Sequence, residues 1–296
     1  DQSEFTDKNS NDASFNEENP IPVVLVEGFM GPSKPSYWDK NEKKQYPKTR
    51  RCIFVTPGCG SSLHDRAVEI FYQIKGGRVD YGKDHALKYG HSRYGRECPG
   101  LYPEWSVSKP LHFLGHSFGG VTIWKLQQLL ASDLFPAYHE PHPDMVRSLT
   151  AISSPFKGSH AVCIVGRCTE DVRSIRPISF GALIGRMIHI HEYFDIKWIK
   201  KLTYDFNCDQ WNLSFKKNFQ SMWDEYFGDK YISGDSECQN SEKEKTYGLL
   251  QFLFKSPWMY CEDNATYDLT IHAMNDLNNK CRTFENTFYR TYAASI

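Results

Sequence analysis

Residues 111–120 read LHFLGHSFGG, and residues 121–130 read VTIWKLQQLL. An apolar run thus leads into a Gly-x-Ser-x-Gly pattern centred on Ser117, and a helix-like run follows it. Strand, tight turn and helix in this order are typical of a nucleophile elbow, in which glycines avoid collisions between a Cβ and the strand or helix. Such patterns also occur by chance in glycine-rich loops, so the interpretation depends on the strand-like run before the pattern and the helix-like run after it. We predict that Ser117 offers its hydroxyl as a nucleophile.

The composition is that of a protein with a large core. The chain has 296 residues, of which 40% are hydrophobic and 24% charged, enough for one large α/β domain over residues 20–296. The charges of its 35 basic and 36 acidic residues nearly cancel. The net charge therefore favours neither nucleic acid nor an anionic membrane as a partner. No run reaches the roughly 18 apolar residues of a membrane span. The oligomeric state is left open.

The pattern along the chain predicts a mostly parallel sheet with helices on both faces. Helix-like stretches such as Asp65 to Ile74 separate some of the strand-like runs, and residues 1–19 are polar and predict a disordered tail. Two polar stretches, Pro32 to Lys48 and Ser233 to Lys245, predict surface loops. The predicted strands are Ile21 to Val26, Arg51 to Thr56, Leu111 to Leu114, Val146 to Ile152 and Thr287 to Ala293.

Residues 177–206 form an unusually apolar segment. It is either an ordinary core element or a mobile helical lid that covers an apolar cleft and opens at a lipid–water interface. Its two histidines, His189 and His191, are interpreted as surface residues of that lid.

Cysteines and glycosylation sequons favour a secretory route. Nine cysteines without a C-x-x-C pair predict some disulfides with one thiol left over, and Cys163 with Cys168 is one conceivable pair. The sequons begin at Asn212 and Asn264. We therefore expect a secreted glycoprotein.

Several separate motifs from about Ile21 onward resemble the lipases of staphylococci and thermophilic bacilli. The matching blocks are VLVEGF (24–29), DRA (65–67), KGGRVDYG (75–82), residues 85–96, GLYPEW (100–105), GHSFGG (115–120), YDFNCDQW (204–211) and YDLT (267–270). The resemblance implies the α/β-hydrolase fold with a helical lid and a zinc-stapled insertion. It also implies hydrolysis of triacylglycerol and other carboxylic esters.

Ester hydrolysis by serine needs donors for the oxyanion that forms on the carbonyl. The elbow offers the backbone N–H of Phe118, and the family pattern assigns the second donor to the backbone N–H of Phe29. Phe29 could equally be a plain core aromatic. The family usually has histidine where this chain has Glu27, so a carboxylate stands beside the oxyanion loop.

The resemblance places the family's catalytic Asp and His after the predicted last strand, and the sequence stops at Ile296 before both. The family's calcium site lies largely in the same region and cannot be complete. The chain is then a fragment, builds its triad otherwise, or has lost the activity. His272 is the last histidine, with Asp263 and Asp268 near it, but its family position is not catalytic.

The resemblance assigns four zinc ligands, Asp65, His85, His91 and Asp209. Two imidazoles and two carboxylates suit tetrahedral zinc, and four protein ligands leave no position for water, which predicts a structural role. Each residue alone could be a helix cap or a solvated loop residue. His64, beside Asp65, is interpreted as a surface residue.

Three functional hypotheses follow. The first is a serine ester hydrolase of the lipase type, acting at a lipid–water interface. The second is a non-catalytic lipid-binding protein that kept the scaffold after losing acid and base. The third makes zinc the catalyst, which four protein ligands disfavour.

Overall fold

The computed structural model describes residues 20–31, 50–132, 134–138, 140–167, 175–176, 178–194, 206, 208–211 and 261–293. The side chains of residues 191–194 and of Asp209 are outside this description. The predicted tail over residues 1–19 and the predicted loops Pro32 to Lys48 and Ser233 to Lys245 also lie outside the described residues.

A five-stranded sheet organises the chain, and its strands lie side by side in the order β2-β1-β5-β6-β7. Every neighbouring pair is parallel, which confirms the mostly parallel sheet. The strands are β1 Val23–Val26, β2 Cys52–Val55, β5 Leu111–His116, β6 Val146–Ile152 and β7 Phe288–Tyr292. A separate antiparallel ribbon consists of β3 Gly77–Asp80 and β4 Tyr94–Cys98.

Helices follow or connect the strands. They are α1 Leu63–Lys75, α2 Lys83–Tyr89, α3 Phe118–Leu130, α4 Ala161–Ile164, α5 Phe180–Phe194, α6 Ala265–Asp268 and α7 Ile271–Lys280, with 3-10 turns at Pro143–Met145 and Asp209–Trp211. Helix α1 starts where the Ser62 side chain accepts a hydrogen bond from the Asp65 N–H, and Lys75 lies in its last turn. The Ser62 side chain satisfies one free N–H at the start of the helix, and the positive charge of Lys75 suits the negative end of the helix dipole.

The main core lies between the sheet and helices α1 and α3. Val24, Phe113 and Leu149 contribute from three neighbouring strands, and Phe71 and Ile123 contribute from α1 and α3. Each of these side chains is at most 2% exposed. Because burying one such side chain contributes about 1.5–3 kcal/mol, this cluster fixes both helices on the sheet.

The apolar segment forms helix α5, and its two faces differ in exposure. Phe180, Leu183 and Met187 are 61%, 52% and 59% exposed, whereas His189 is 1% exposed. The interpretation of His189 as a surface residue is therefore wrong: its Nδ1 lies 2.5 Å from the Gly185 carbonyl, and burial lowers its pKa to about 4. The side chain of His191, and residues 177 and 195–205 of the predicted lid, lie outside the described part.

Two expectations behind the secretory route are corrected. Asn264 is 1% exposed; its amide nitrogen donates to the Cys261 carbonyl at 2.9 Å, and its Oδ1 accepts from the Tyr267 N–H at 3.0 Å. It caps α6 and cannot carry a glycan, which would attach to that nitrogen. The second sequon, Asn212, lies outside the described residues.

The prediction of one leftover thiol is also wrong, because Cys98, Cys163 and Cys281 are all free. Cys98 is 5% exposed and lies in the main core, where a thiol packs as a small apolar group. Across the part of the chain that the structure describes, no helix is long and apolar enough to cross a membrane.

Candidate functional site

The turn between β5 and α3 holds Ser117 in a strained conformation, with φ 53° and ψ −124°. Its N–H donates to the Ile152 carbonyl at 2.8 Å, which ties the turn to the end of β6. A Cβ on Gly115 would collide with the backbone of residues 119 and 120, and a Cβ on Gly119 would collide with the Val26 carbonyl. The glycines therefore let strand and helix approach closely enough for the turn to form.

The loop after β1 lies directly against this turn. A Cβ on Gly28 would stand 2.9 Å from the Ser117 Cβ and 3.3 Å from the Phe118 nitrogen. Phe118 is the first residue of α3, so its N–H has no partner within the helix. Among the described backbone hydrogen bonds, none uses the N–H of Phe29. The structure thus brings Ser117 together with the loop that carries Phe29.

No described histidine forms a hydrogen bond with the Ser117 hydroxyl. The Nε2 of His272 lies instead 3.7 Å from the Asp276 Oδ2, and the two side chains are 62% and 55% exposed. The carboxylate of Asp268 accepts from the Leu63 N–H at 2.6 Å, at the start of α1. His272 and Asp268 therefore form no dyad with each other in the described structure.

A second cluster gathers Asp65, His85, His91 and Asp263, with one ligand atom from each within 4.8 Å of the others. Asp65 lies in the first turn of α1, His85 lies in α2, His91 follows α2, and Asp263 precedes α6. The His85 Nε2 is 3.1 Å from an Asp65 oxygen and 3.2 Å from an Asp263 oxygen, and the His91 Nε2 is 3.2 Å from the other Asp263 oxygen.

These atoms lie close together but do not form hydrogen bonds with one another. Asp65 Oδ1, His85 Nε2, His91 Nε2 and Asp263 Oδ2 are all buried, and none has a partner in hydrogen-bond geometry within the described structure. Buried polar atoms are rarely left so. Four lone-pair donors facing a common point fit a cation, and the two-imidazole, two-carboxylate set suits zinc coordination. The cluster can therefore hold a metal ion.

The charges of the cluster are interdependent. Burial acts to lower the pKa of His85, but its contacts with Asp263 and Asp65 outweigh burial and raise that pKa to about 9. Burial acts to raise the pKa of Asp263, and the contacts with His85 and His91 reverse this and lower it well below its usual value. The carboxylates thus attract positive charge, which either protons or a metal ion can supply.

Neighbouring groups orient the ligands. The Gln210 amide donates to the other Asp65 oxygen at 2.8 Å, and the His91 Nδ1 lies 2.9 Å from the Ser92 carbonyl. The ring of His64 stacks on His85 at 3.7 Å, while its Nε2 lies 2.8 Å from the Tyr81 carbonyl. Burial lowers the pKa of His64 to about 3, so its ring is neutral. The residue is half-buried and supports the His85 ring, and the interpretation of His64 as a surface residue is wrong. Such contacts fix the rotamers of metal ligands.

Three of the four ligands expected from the resemblance lie together, and Asp263 supplies the fourth position in the described structure. Asp209 begins a 3-10 turn next to the cluster, where the Trp211 ring lies 5.1 Å from His91, but the Asp209 side chain lies outside the description. The sequence did not indicate Asp263 as a member of this cluster, although it precedes the matching block at 267–270 by only a few residues.

The comparisons agree with this architecture. Residues 19–224 match the family model "Lipase-like, C-terminal domain". Lipase 1 of Staphylococcus aureus (strain NCTC 8325 / PS 47) is 33% identical over 93% of this chain, and the match spans 38% of that relative. The chain therefore spans about two fifths of the length of such curated relatives.

Solved structures are similar over nearly the whole chain. Staphylococcus hyicus lipase is 26% identical with a TM-score of 0.64, covering 93% of this chain and 67% of that one. EstA from Clostridium botulinum is 28% identical with a TM-score of 0.60, covering 94% and 61%. The predicted α/β-hydrolase fold is thereby confirmed, and the chain belongs to the lipase family that the sequence motifs indicated.

Proposed function

We propose that this chain carries the nucleophile and oxyanion donors of a lipase that hydrolyses carboxylic esters. The observation that carries the proposal is the Ser117 turn, strained at φ 53° with the Gly28 backbone packed against it. In this reaction the Ser117 oxygen attacks the acyl carbon. The N–H groups of Phe29 and Phe118 hold the oxyanion, the alcohol leaves with a proton, and water then hydrolyses the acyl-enzyme.

The base that takes the Ser117 proton is assigned by the resemblance to a position after β7, with its acidic partner. The carboxyl ends of β5, β6 and β7 lie at one edge of the sheet, because these strands are parallel neighbours. Strand β7 therefore ends at the same edge of the sheet as the Ser117 turn, two strands away, which supports this assignment.

A long acyl chain at a lipid–water interface is the proposed substrate class. The exposed face of α5, with Phe180, Leu183 and Met187, supports contact with lipid. A small apolar cavity lies between this helix and the loop after β1, lined by residues that include Phe29, Ile184 and Ile188. Because this cavity is small, α5 must move before an acyl chain can enter it.

The experiment is replacement of the nucleophile. In the full-length protein, Ser117→Ala should abolish hydrolysis of p-nitrophenyl butyrate and of tributyrin, and should abolish labelling by a fluorophosphonate. Ser154→Ala is the matched control, because Ser154 lies near the end of β6 and packs next to Gly120. Full turnover by a folded Ser117→Ala protein would refute the proposal.

We also propose that the metal is Zn²⁺, held by Asp65, His85, His91 and Asp263. The buried, unpartnered ligand atoms support this set. When bound, zinc would link α1, α2 and the segment before α6, a structural role that leaves no ligand position for a catalytic water.

A second candidate function is lipid binding without catalysis, which the exposed apolar face of α5 and the small apolar cavity favour as well. That function predicts fatty-acid binding without fluorophosphonate labelling in the full-length protein. Labelling of Ser117 would exclude it.

A further inference from the structure

Arg66 is a buried cation that joins the parts of the proposed oxyanion site. Its side chain is 1% exposed, and it lies in α1 next to the metal-cluster residue Asp65. A buried guanidinium must find acceptors for its N–H groups, because desolvation of an unsatisfied charge is costly. The acceptors that Arg66 finds belong to three separate segments around Ser117.

The first segment is the loop that carries Phe29. An Arg66 terminal N–H donates to the Glu27 carbonyl at 2.5 Å. Because the peptide unit is planar, this bond also fixes the direction of the Gly28 N–H. After Phe29, the Met30 N–H donates to the Cys59 carbonyl at 3.4 Å. The peptide units before and after the one that carries the Phe29 N–H are thus both held by hydrogen bonds.

The second segment is the loop after β2, which supplies that Cys59 carbonyl. The other terminal nitrogen of Arg66 donates to the Gly58 carbonyl at 2.8 Å. Glu69, one turn further along α1, accepts from the Gly58 N–H at 2.7 Å. Arg66 therefore holds the Phe29 loop directly through Glu27 and indirectly through the loop that anchors Met30.

The third segment is the elbow itself. The Arg66 guanidinium lies 5.3 Å from the centre of the Phe118 ring, and its Nε donates to Thr122 Oγ1 at 3.2 Å. That hydroxyl donates in turn to the Phe118 carbonyl at 2.8 Å. One side chain therefore contacts both loops that carry the proposed oxyanion donors.

We propose that Arg66 is a positioning residue for ester hydrolysis, which sets the spacing of the Phe29 and Phe118 amides around the oxyanion. The proposal rests on the proposed function. It concerns the transition state, because the two amides bind charge that develops on the carbonyl oxygen. Loss of Arg66 should lower kcat more than it raises KM.

The test compares Arg66→Met with Arg147→Met in the full-length protein. Arg147 is the control because it is half-buried at the start of β6, at the opposite edge of the sheet from Ser117, where its guanidinium lies 5.3 Å from the centre of the Phe288 ring. With soluble p-nitrophenyl butyrate, Arg66→Met should lower kcat about 100-fold with KM within about threefold, the size expected for one displaced oxyanion donor. Arg147→Met should keep kcat within about twofold of the parent. Arg66→Lys retains a donor for Glu27 and should recover part of kcat.

Amide hydrogen exchange over residues 27–31 separates this proposal from the proposed function. Faster exchange there in Arg66→Met than in Arg147→Met supports the anchoring of the Phe29 loop by Arg66. A parent protein that hydrolyses no ester would refute the proposed function and leave that anchoring standing. If Arg66→Met does not fold, Arg66→Lys is measured in its place. Parental kcat together with parental exchange in a folded Arg66 variant would overturn the proposal.

Discussion

Backbone strain concentrates at one edge of the sheet. Met30, Ser117 and Ser153 have φ angles of 53°, 53° and 49°, in a region that side chains with a Cβ rarely adopt. They follow β1, β5 and β6, which are neighbours, so all three lie at the carboxyl ends of adjacent parallel strands. Each such conformation costs about 1–3 kcal/mol and persists where function or packing demands it.

At the level of single residues, the four proposed metal ligands show what sequence could and could not predict. Asp65, His85 and His91 lie within recognisable blocks, and the structure brings them together. Asp263 lies far from these blocks in the sequence, and the fold brings it to the cluster in the segment just before α6. A carboxylate followed by the capping residue Asn264 has a sufficient local explanation as a helix start, so nothing in its immediate sequence indicates a ligand.

The fourth ligand can be identified by paired substitutions. Asp263→Ala should lose bound zinc, measured by mass spectrometry of the metal after dialysis. Removing a direct ligand should lower the affinity by more than the loss of an outer-shell partner does, which costs about 10- to 100-fold. Asp209→Ala should retain about one zinc per chain. Zinc lost from Asp209→Ala but kept in Asp263→Ala would reverse the assignment in favour of the ligand set that the motifs implied.

At the level of elements, prediction succeeded where local pattern and tertiary role coincide. Strand β6 spans the predicted residues, Val146–Ile152. Helix α1 begins before the predicted Asp65, at Leu63, because Ser62 caps it, and it ends one residue later than predicted, at Lys75. The β3–β4 ribbon was not predicted. It is held by pairs of residues that are separated in sequence, such as Asp80 and Arg93, whose side chains lie 2.7 Å apart. Such pairing leaves no periodic signal in short segments.

Helix α5 offers a prediction about its exposed face. The double substitution Leu183→Gln and Met187→Gln should lower hydrolysis of emulsified tributyrin about tenfold or more, because burying one such side chain in lipid is worth about 1.5–3 kcal/mol. Hydrolysis of soluble p-nitrophenyl acetate should change by less than about twofold, since this ester needs no interface. Leu87→Gln, at a 50% exposed position on α2, is the control. Equal loss on both substrates would exclude an interfacial role for this face.

At the level of the whole molecule, helix α1 links the Asp/His cluster to the surroundings of the Ser117 turn. Asp65 faces the cluster, while Arg66 bonds to the loop that carries Phe29. The inner side of α5 packs with Trp211, whose ring contacts His91. The cluster therefore lies where α1, α2, the segment before α6 and the proposed lid meet, so ion binding should stabilise their joint arrangement without contributing to the chemistry.

Removal of the metal tests this division of roles. Saturating chelator should lower the melting temperature by about 10 °C, since an ion present at about 1,000 times its Kd contributes about 4 kcal/mol, and each kcal/mol shifts Tm by about 2–4 °C in a domain of this size. Asp263→Ala should already melt lower and respond little to chelator. Ester turnover in chelator should persist at 25 °C for as long as the protein stays folded. Circular dichroism of the same sample monitors the fold. Turnover that stops at once while the fold is intact would instead make the metal a participant in the reaction.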